Sequence, residues 1–88
     1  SGRSMYIEFL GIPRERAGVA ELQIDATTLG QALRALRSQV PALRELITSA
    51  GLHPSLAANL NGDRFISDLD TTLGDDDHVL ILSADVGG

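Results

Sequence analysis

Few side chains of this 88-residue chain could do chemistry by themselves. The chain has no cysteine, which excludes a disulfide, a thiolate nucleophile and a cysteine-based zinc site. Its histidines, His53 and His78, have no second histidine or cysteine at ligand spacing, so they are interpreted as structural or surface residues. The run Asp75 to Asp77 lacks the spaced ligands of a calcium loop and predicts a solvated turn. We therefore expect no metal site and no nucleophile with its own base.

The remaining reactive group is the carboxylate of Gly88, which follows Gly87 and Val86. Two residues without a Cβ atom can pass through a narrow channel and adopt backbone angles barred to other residues. At an average glycine usage of about 7%, roughly 0.5% of chains end in such a pair by chance, so the motif alone is weak. Residues 85–88 reach roughly 13 Å when extended.

Composition limits the partners and the compartment. The net charge is −5 and every basic residue is an arginine, which argues against a nucleic-acid surface and favours a partner with a basic docking surface. No apolar run reaches the roughly 18 to 20 residues of a membrane span, and no signal peptide is recognisable. The default expectation is a soluble cytoplasmic protein with no membrane partner.

The chain is long enough for a single small domain. Residues 1–4 precede Met5 and look like the remnant of a cleaved tag, so they are left out of the fold prediction. The predicted organisation is one domain over 5–84 followed by an extended tail over 85–88. Its 43% of hydrophobic residues suffice for a packed core.

Periodicity and turn residues predict the elements that must hold this tail. The capping-box pair Thr28 and Gln31 predicts the start of the main helix, and Asn61-Gly62 predicts a hairpin turn. An arginine-rich loop is expected around Pro13. The predicted elements, in order, are strands at 5–10 and 21–25, a helix at 29–39, a shorter helix from Pro41 towards Gly51, and strands at 56–60, 64–66 and 78–82. This order predicts an α+β fold with a mixed sheet of about five strands and helices on one face.

Several segments together resemble the β-grasp (ubiquitin-like) sulfur carriers, which include the molybdopterin synthase small subunit and the thiamine sulfur-carrier protein. These segments are Phe9 to Gly18, Leu60 to Asp63, Leu73 to Leu82, and Gly87-Gly88. The resemblance covers nearly the whole chain from Met5. One departure is that Ser83 to Val86 replaces the two prolines usual before the diglycine of the molybdopterin subunits.

The resemblance implies a carrier that is not itself an enzyme and binds no cofactor. A ubiquitin-activating-type enzyme would use ATP to adenylate the Gly88 carboxylate, and a persulfide sulfur donor would convert it to a thiocarboxylate. A sulfur-accepting synthase would then take the sulfur for cofactor, amino-acid or tRNA biosynthesis. Val86 and Gly87 would thread into the activating enzyme.

Other residues are candidates for contacts with these partners. Arg14 and Arg16 lie in the predicted loop and Phe65 in a predicted strand, where they could contact a partner; for the arginines, a solvated loop is the alternative. Plain core packing is the interpretation of Leu60, Ile66, Val79 and Ile81, and an exposed apolar sheet face for docking is the alternative.

Three functions stay open beside the general carrier. The chain could be the small subunit of molybdopterin synthase, a protein modifier that forms isopeptide bonds through Gly88, or a β-grasp binding module whose terminal glycines are incidental. The pathway, the sulfur acceptor and the activating enzyme depend on partner surfaces that no motif identifies.

Overall fold

The computed structural model describes residues 4–48 and 50–84. The expected strands and the main helix are found, together with a helix and a small hairpin that were not predicted. The elements are β1 (Ser4–Phe9), α1 (Ile12–Ala17), β2 (Glu21–Asp25), α2 (Leu29–Gln39), a 3₁₀ helix (Pro41–Leu43), β3 (Ile47–Thr48), β4 (Gly51–Leu52), β5 (Leu56–Leu60), β6 (Arg64–Ile66) and β7 (His78–Ser83). β1 thus begins at Ser4, inside the segment interpreted as a tag remnant.

Five strands form one mixed sheet in the order β2-β1-β7-β5-β6, and β3 and β4 form a separate hairpin. β7 occupies the centre, parallel to β1 on one side and antiparallel to β5 on the other. The register places Ile81 opposite both Phe9 and Ala58. β7, the last described strand, is therefore hydrogen-bonded to a neighbouring strand along both of its edges.

One face of the sheet is buried and the other is open. Met5, Ile7 and Phe9 alternate along β1 and are at most 1% exposed, as period-two burial requires. They join the inward side chains of α2 and of the other strands in one hydrophobic cluster. Leu60, Ile66, Val79 and Ile81 also belong to this cluster. The interpretation of these four as core residues is therefore confirmed, and the alternative of an exposed docking face is wrong.

The main helix begins where the capping box predicted. Thr28 is extended, and its side chain accepts a hydrogen bond from the Gln31 N–H at 3.1 Å. The Gln31 side chain reaches back one residue further than in the usual box and accepts from the Thr27 N–H at 2.9 Å. α2 ends at Gln39, because Pro41 disfavours a helical conformation for Val40.

The second, shorter helix lies elsewhere than predicted. Residues 12–17 form α1 instead of a loop, with Pro13 in the first turn, where its missing N–H costs no hydrogen bond. Gly18 ends the helix in the left-handed region at φ 75°. The segment after Pro41 makes only a 3₁₀ helix, and the β3–β4 hairpin follows where a helix was expected up to Gly51.

The predicted turn between β5 and β6 is confirmed. Asn61 and Gly62 both have positive φ, at 57° and 70°, and Leu60 pairs with Arg64 across the hairpin. Across residues 4–48 and 50–84, no helix has the length and apolarity needed to cross a membrane.

Candidate functional site

The predicted reactive tail follows directly from the central strand. Ser83 is the buried last residue of β7, and the Ala84 N–H donates a 2.7 Å hydrogen bond to the Ser55 carbonyl oxygen. On the other side, the Leu10 N–H donates to the Ile81 carbonyl oxygen at 3.0 Å. The chain is thus held from both flanks up to the last described residue. Val86, Gly87 and Gly88 lie outside the described residues, so the prediction made for them stays a prediction.

Two exposed apolar side chains lie beside the end of β7. Leu10 is 42% exposed and Ile12 is 52% exposed, although both are large and hydrophobic. They flank Gly11, where an added Cβ would lie 3.5 Å from the Ser83 Oγ atom. Sequence reasoning missed this pair. The parallel pairing of β1 with β7 would have indicated it, because it brings the segment after β1 next to the end of β7.

The predicted partner-contact residues lie in two separate places. Arg14 and Arg16 are on α1, which packs against β7, and both are exposed. Arg16 donates to Glu45 at 3.3 Å, in an ion pair whose side chains are largely exposed. Phe65 is on the edge strand β6 and is 66% exposed. No described contact joins Phe65 to the two arginines.

The open sheet face divides into two halves. Phe65 and Leu80 both lie opposite Asn59, from β6 and β7, and Leu82 lies two residues beyond Leu80 on the same face. We call Phe65, Leu80 and Leu82 the apolar half. The leucines are half-buried. Leu80 and Leu82 alternate with the core residues that sequence reasoning had considered, so the register identifies them, whereas Phe65 was already a predicted contact residue.

We call Glu8, Glu21 and His78 the acidic half of the same face. The His78 Nε2 atom lies 3.0 Å from Glu8 Oε1 and 3.3 Å from Glu21 Oε2. Tyr6, which pairs with His78 in the β1–β7 register, places its ring centroid 6.1 Å from the imidazole. His78 is thus a surface residue at the start of a strand, as predicted, but it lies within a cluster that sequence spacing did not indicate.

The acidic turn before β7 is tied together by one carboxylate. Asp77 accepts the Gly74 N–H at 2.7 Å and the Asn61 side-chain amide at 3.0 Å. These two hydrogen bonds, that from Gly74 foremost, hold the pKa of Asp77 below its ordinary value. The other histidine, His53, accepts the Ser55 N–H at its Nδ1 atom at 3.0 Å. Both features stabilise loops, in line with their structural interpretation.

The described surfaces lie around the end of β7 and on the open sheet face. The described residues provide a fixed strand terminus, an apolar rim at Leu10 and Ile12, and an open sheet face. Such a geometry suits docking to another protein.

Comparison with known proteins agrees with this geometry. A family model described as the ThiS family matches residues 7–88. SAMP1, a small archaeal modifier protein of Haloferax volcanii, is 26% identical with a TM-score of 0.80, and the match covers 97% of this chain and 99% of that one. A search of the curated proteins gives no match.

Two further solved structures extend the comparison. CysO of Mycobacterium tuberculosis shares the fold at 23% identity, with a TM-score of 0.75 and coverage of 91% of this chain and 98% of that one. A chain in the complex of subunits 1 and 2 of the molybdopterin-converting factor from Helicobacter pylori is 27% identical, with a TM-score of 0.67 and coverage of 97% and 99%. The family model spans most of the chain, and the expected β-grasp fold is confirmed. The chain therefore belongs to the ThiS family and has the ubiquitin-like β-grasp fold of the sulfur carriers.

Proposed function

We propose that this protein carries sulfur as a thiocarboxylate on Gly88 and that it is the substrate of an adenylating enzyme. The observation that carries the proposal is the end of β7. This central strand is paired on both edges, and Ala84 is held by Ser55 just before the tail begins. The partner can hold the rigid domain, and residues 85–88, when extended, reach roughly 13 Å from it.

The chemistry begins at a carboxylate, which is a poor electrophile at neutral pH. A Gly88 oxygen attacks the α-phosphate of ATP in the adenylating enzyme, and pyrophosphate leaves. The sulfur of a donor persulfide then attacks the acyl carbon and AMP leaves, which gives an acyl persulfide. A second thiol reduces its S–S bond, so that the thiocarboxylate is released and a donor disulfide forms. In a synthase the thiocarboxylate sulfur finally bonds to the acceptor, and water then cleaves the bond between the Gly88 acyl carbon and sulfur, which leaves the sulfur on the acceptor and regenerates the Gly88 carboxylate.

The surfaces near the tail support a role for this domain as a docking unit. Leu10 and Ile12 form an apolar rim beside the end of β7, and the apolar half of the open face adds Phe65. We assign these surfaces to the adenylating enzyme, which must hold the domain while the tail enters its active site. Arg14 is an additional contact residue on α1, whereas Arg16 is already engaged with Glu45.

Glycine variants test the proposal. In Gly87→Ala, an added methyl group narrows the clearance of the tail in the activating enzyme, and deletion of Gly88 moves the carboxylate out of reach. Both should reduce ATP-dependent pyrophosphate release by the adenylating enzyme of the same organism by at least about tenfold, equal to about 1.4 kcal/mol.

Gly74→Ala is the matched control. Gly74 has no positive φ, and its added Cβ would meet only Asp77 Oδ2, at an ordinary 3.8 Å. This variant should be activated as well as the wild type. Activation that persists after Gly88 is deleted would contradict the proposal.

A protein modifier is the second candidate, favoured by the similarity to the small archaeal modifier protein of Haloferax volcanii. In that case the adenylated Gly88 would be transferred to amino groups of other proteins. Covalent conjugates that disappear when Gly88 is deleted would support this function. A sulfur carrier that does not modify proteins would give thiocarboxylate without conjugates.

A further inference from the structure

We propose that Glu8, Glu21 and His78 form a binding site for a divalent transition-metal ion of the zinc type. The three residues come from three neighbouring strands of the open sheet face. Their ligand atoms, two carboxylate oxygens and one imidazole nitrogen, all lie within 4.8 Å of one another. The proposal concerns a site apart from the tail and does not depend on the proposed function.

The strand register explains why these side chains converge. Glu8 and Glu21 lie directly opposite each other in the antiparallel β1–β2 pair. His78 pairs with Tyr6 in the parallel β1–β7 pair, two residues before Glu8. Since alternate residues of a strand share one face, the imidazole reaches the two carboxylates from the neighbouring strand. Backbone pairing therefore holds the three residues together.

The distances fit ligands arranged around one small ion. Nitrogen and oxygen ligands of a tetrahedral Zn²⁺ lie about 2.0–2.2 Å from the metal, which separates them from each other by roughly 3.3–3.5 Å. The His78 Nε2 atom is 3.0 Å from Glu8 Oε1 and 3.3 Å from Glu21 Oε2. These two distances need shifts of only a few tenths of an ångström, the two carboxylate oxygens lie within 4.8 Å of each other, and water can fill the remaining position.

The negative charges of Glu8 and Glu21 also favour a bound cation. Like charges directly opposite each other destabilise an antiparallel pair, and Glu8 faces Glu21. Within the described parts of the chain, the only basic side chain that lies within 4.0 Å of either carboxylate is His78. Its Nε2 atom can carry at most one hydrogen, so it cannot donate fully to both carboxylates. A bound metal ion could be coordinated by both carboxylates at once.

The ligand set selects the class of metal. Imidazole nitrogen suits Zn²⁺, Cu²⁺ and Ni²⁺, whereas Mg²⁺ and Ca²⁺ prefer sites made only of oxygen. The side chains of His78, Glu8 and Glu21 are 41%, 47% and 47% exposed, so an ion can enter directly from solvent. Three protein ligands leave one coordination position open to water or to a ligand from a partner.

Calorimetric titration of Zn²⁺ into the full-length protein tests the site. We expect one ion per chain with a micromolar dissociation constant. His78→Asn, Glu8→Gln and Glu21→Gln each remove one ligand and should weaken binding by at least about tenfold. His53→Asn is the matched control, because His53 is an exposed histidine that lies in a loop. It should bind Zn²⁺ like the wild type, and Mg²⁺ should bind more weakly than Zn²⁺.

Three results would overturn the proposal. They are a Zn²⁺ dissociation constant above about 1 mM, Zn²⁺ affinity that is unchanged in all three ligand variants, and a loss in His53→Asn as large as that in His78→Asn. Far-UV circular dichroism of each metal-free variant shows whether it is folded. Each variant removes a ligand from a different strand. The Zn²⁺ affinities of any two variants that remain folded therefore suffice to decide whether the site exists.

Discussion

At the scale of single residues, Asp77 is the side chain whose surroundings most clearly change its chemistry. It joins the turn before β7 to the β5–β6 hairpin through Gly74 and Asn61. These hydrogen bonds favour the ionised carboxylate and lower the pKa of Asp77 in the folded protein. The turn thus fixes the start of the strand whose other end leads to the tail.

Asp77→Asn should lower the free energy of unfolding at neutral pH by about 1 kcal/mol, because a charged acceptor is lost at a partly exposed site. Since folding lowers the pKa of Asp77, its stabilising effect is complete above the ordinary value near 3.8 and is lost as the pH falls through the folded value. Urea unfolding of both proteins from pH 7 to pH 2 should therefore show a stability gap that closes in acid.

Asp76→Asn is the control for this series. Asp76 has a positive φ of 66°, a conformation in which asparagine is as well tolerated as aspartate. Its unfolding free energy should stay close to that of the wild type at every pH. A gap between wild type and Asp77→Asn that stays constant down to pH 2 would show that the carboxylate charge contributes nothing.

Residue types alone indicated some candidate site residues, and these stay predictions. Gly87 and Gly88 stand out because their position and lack of side chains suit threading, and the arginines of residues 14–16 stand out by charge. The acidic half was not predictable, because Glu8, Glu21 and His78 are far apart in sequence and only the strand register brings them together. Leu10 and Ile12 were missed for the same reason.

At the scale of elements, the N-terminus of α2 depends on the Thr28 cap. Thr28→Ala removes the acceptor of the Gln31 N–H and should lower the free energy of unfolding by about 1 kcal/mol. Thr28→Ser keeps the hydroxyl and should retain most of this stability. Urea unfolding gives the free energy of unfolding of the wild type and of both variants. Equal losses of stability in the alanine and serine variants would contradict the role of the cap.

The elements that were predicted well are those with strong local signals. β2, α2, β5 and β6 have the expected bounds, because alternation, a capping box and an Asn-Gly turn each define them locally. α1 was missed, since it is only six residues long and contains Pro13, a residue that more often breaks helices. The spacing of Leu43, Leu46 and Ile47 was too short a pattern to distinguish a helix from a turn followed by a strand.

At the scale of the whole molecule, the sheet separates stability from recognition. Its covered face holds the core, and its open face carries the apolar half and the acidic half. The protein is acidic, with a net charge of −5, so long-range attraction to a basic partner would add to contacts made by the apolar half. Substitutions on the open face should therefore weaken binding to a partner more than they lower the free energy of unfolding.

Phe65→Ala tests this separation. Phe65 is 66% exposed, so its truncation should change the free energy of unfolding by less than about 0.5 kcal/mol. The KM of the adenylating enzyme for this protein should rise by about tenfold, which corresponds to about 1.4 kcal/mol of lost docking energy. Steady-state kinetics of pyrophosphate release measure this effect.

Val19→Ala is the matched control, because Val19 is also exposed, at 42%, but lies in the loop between α1 and β2 and not on a strand of the open face. Its KM should equal that of the wild type. If both substitutions raise KM equally, or neither does, the apolar half is not the docking surface.

The chain is well suited to a direct test of sulfur loading. Arg64 is its last arginine and it has no lysine, so trypsin releases Phe65–Gly88 as one C-terminal peptide. This peptide contains neither cysteine nor methionine. Any sulfur in it must therefore have been acquired from a donor.

The most direct measurement is tandem mass spectrometry of this peptide after incubation with the adenylating enzyme, ATP and a persulfide donor. The account predicts that sulfur replaces one oxygen of the peptide, that the change maps to Gly88, and that it requires ATP. A peptide that stays free of sulfur, under conditions in which another ThiS-family carrier is converted, would contradict it.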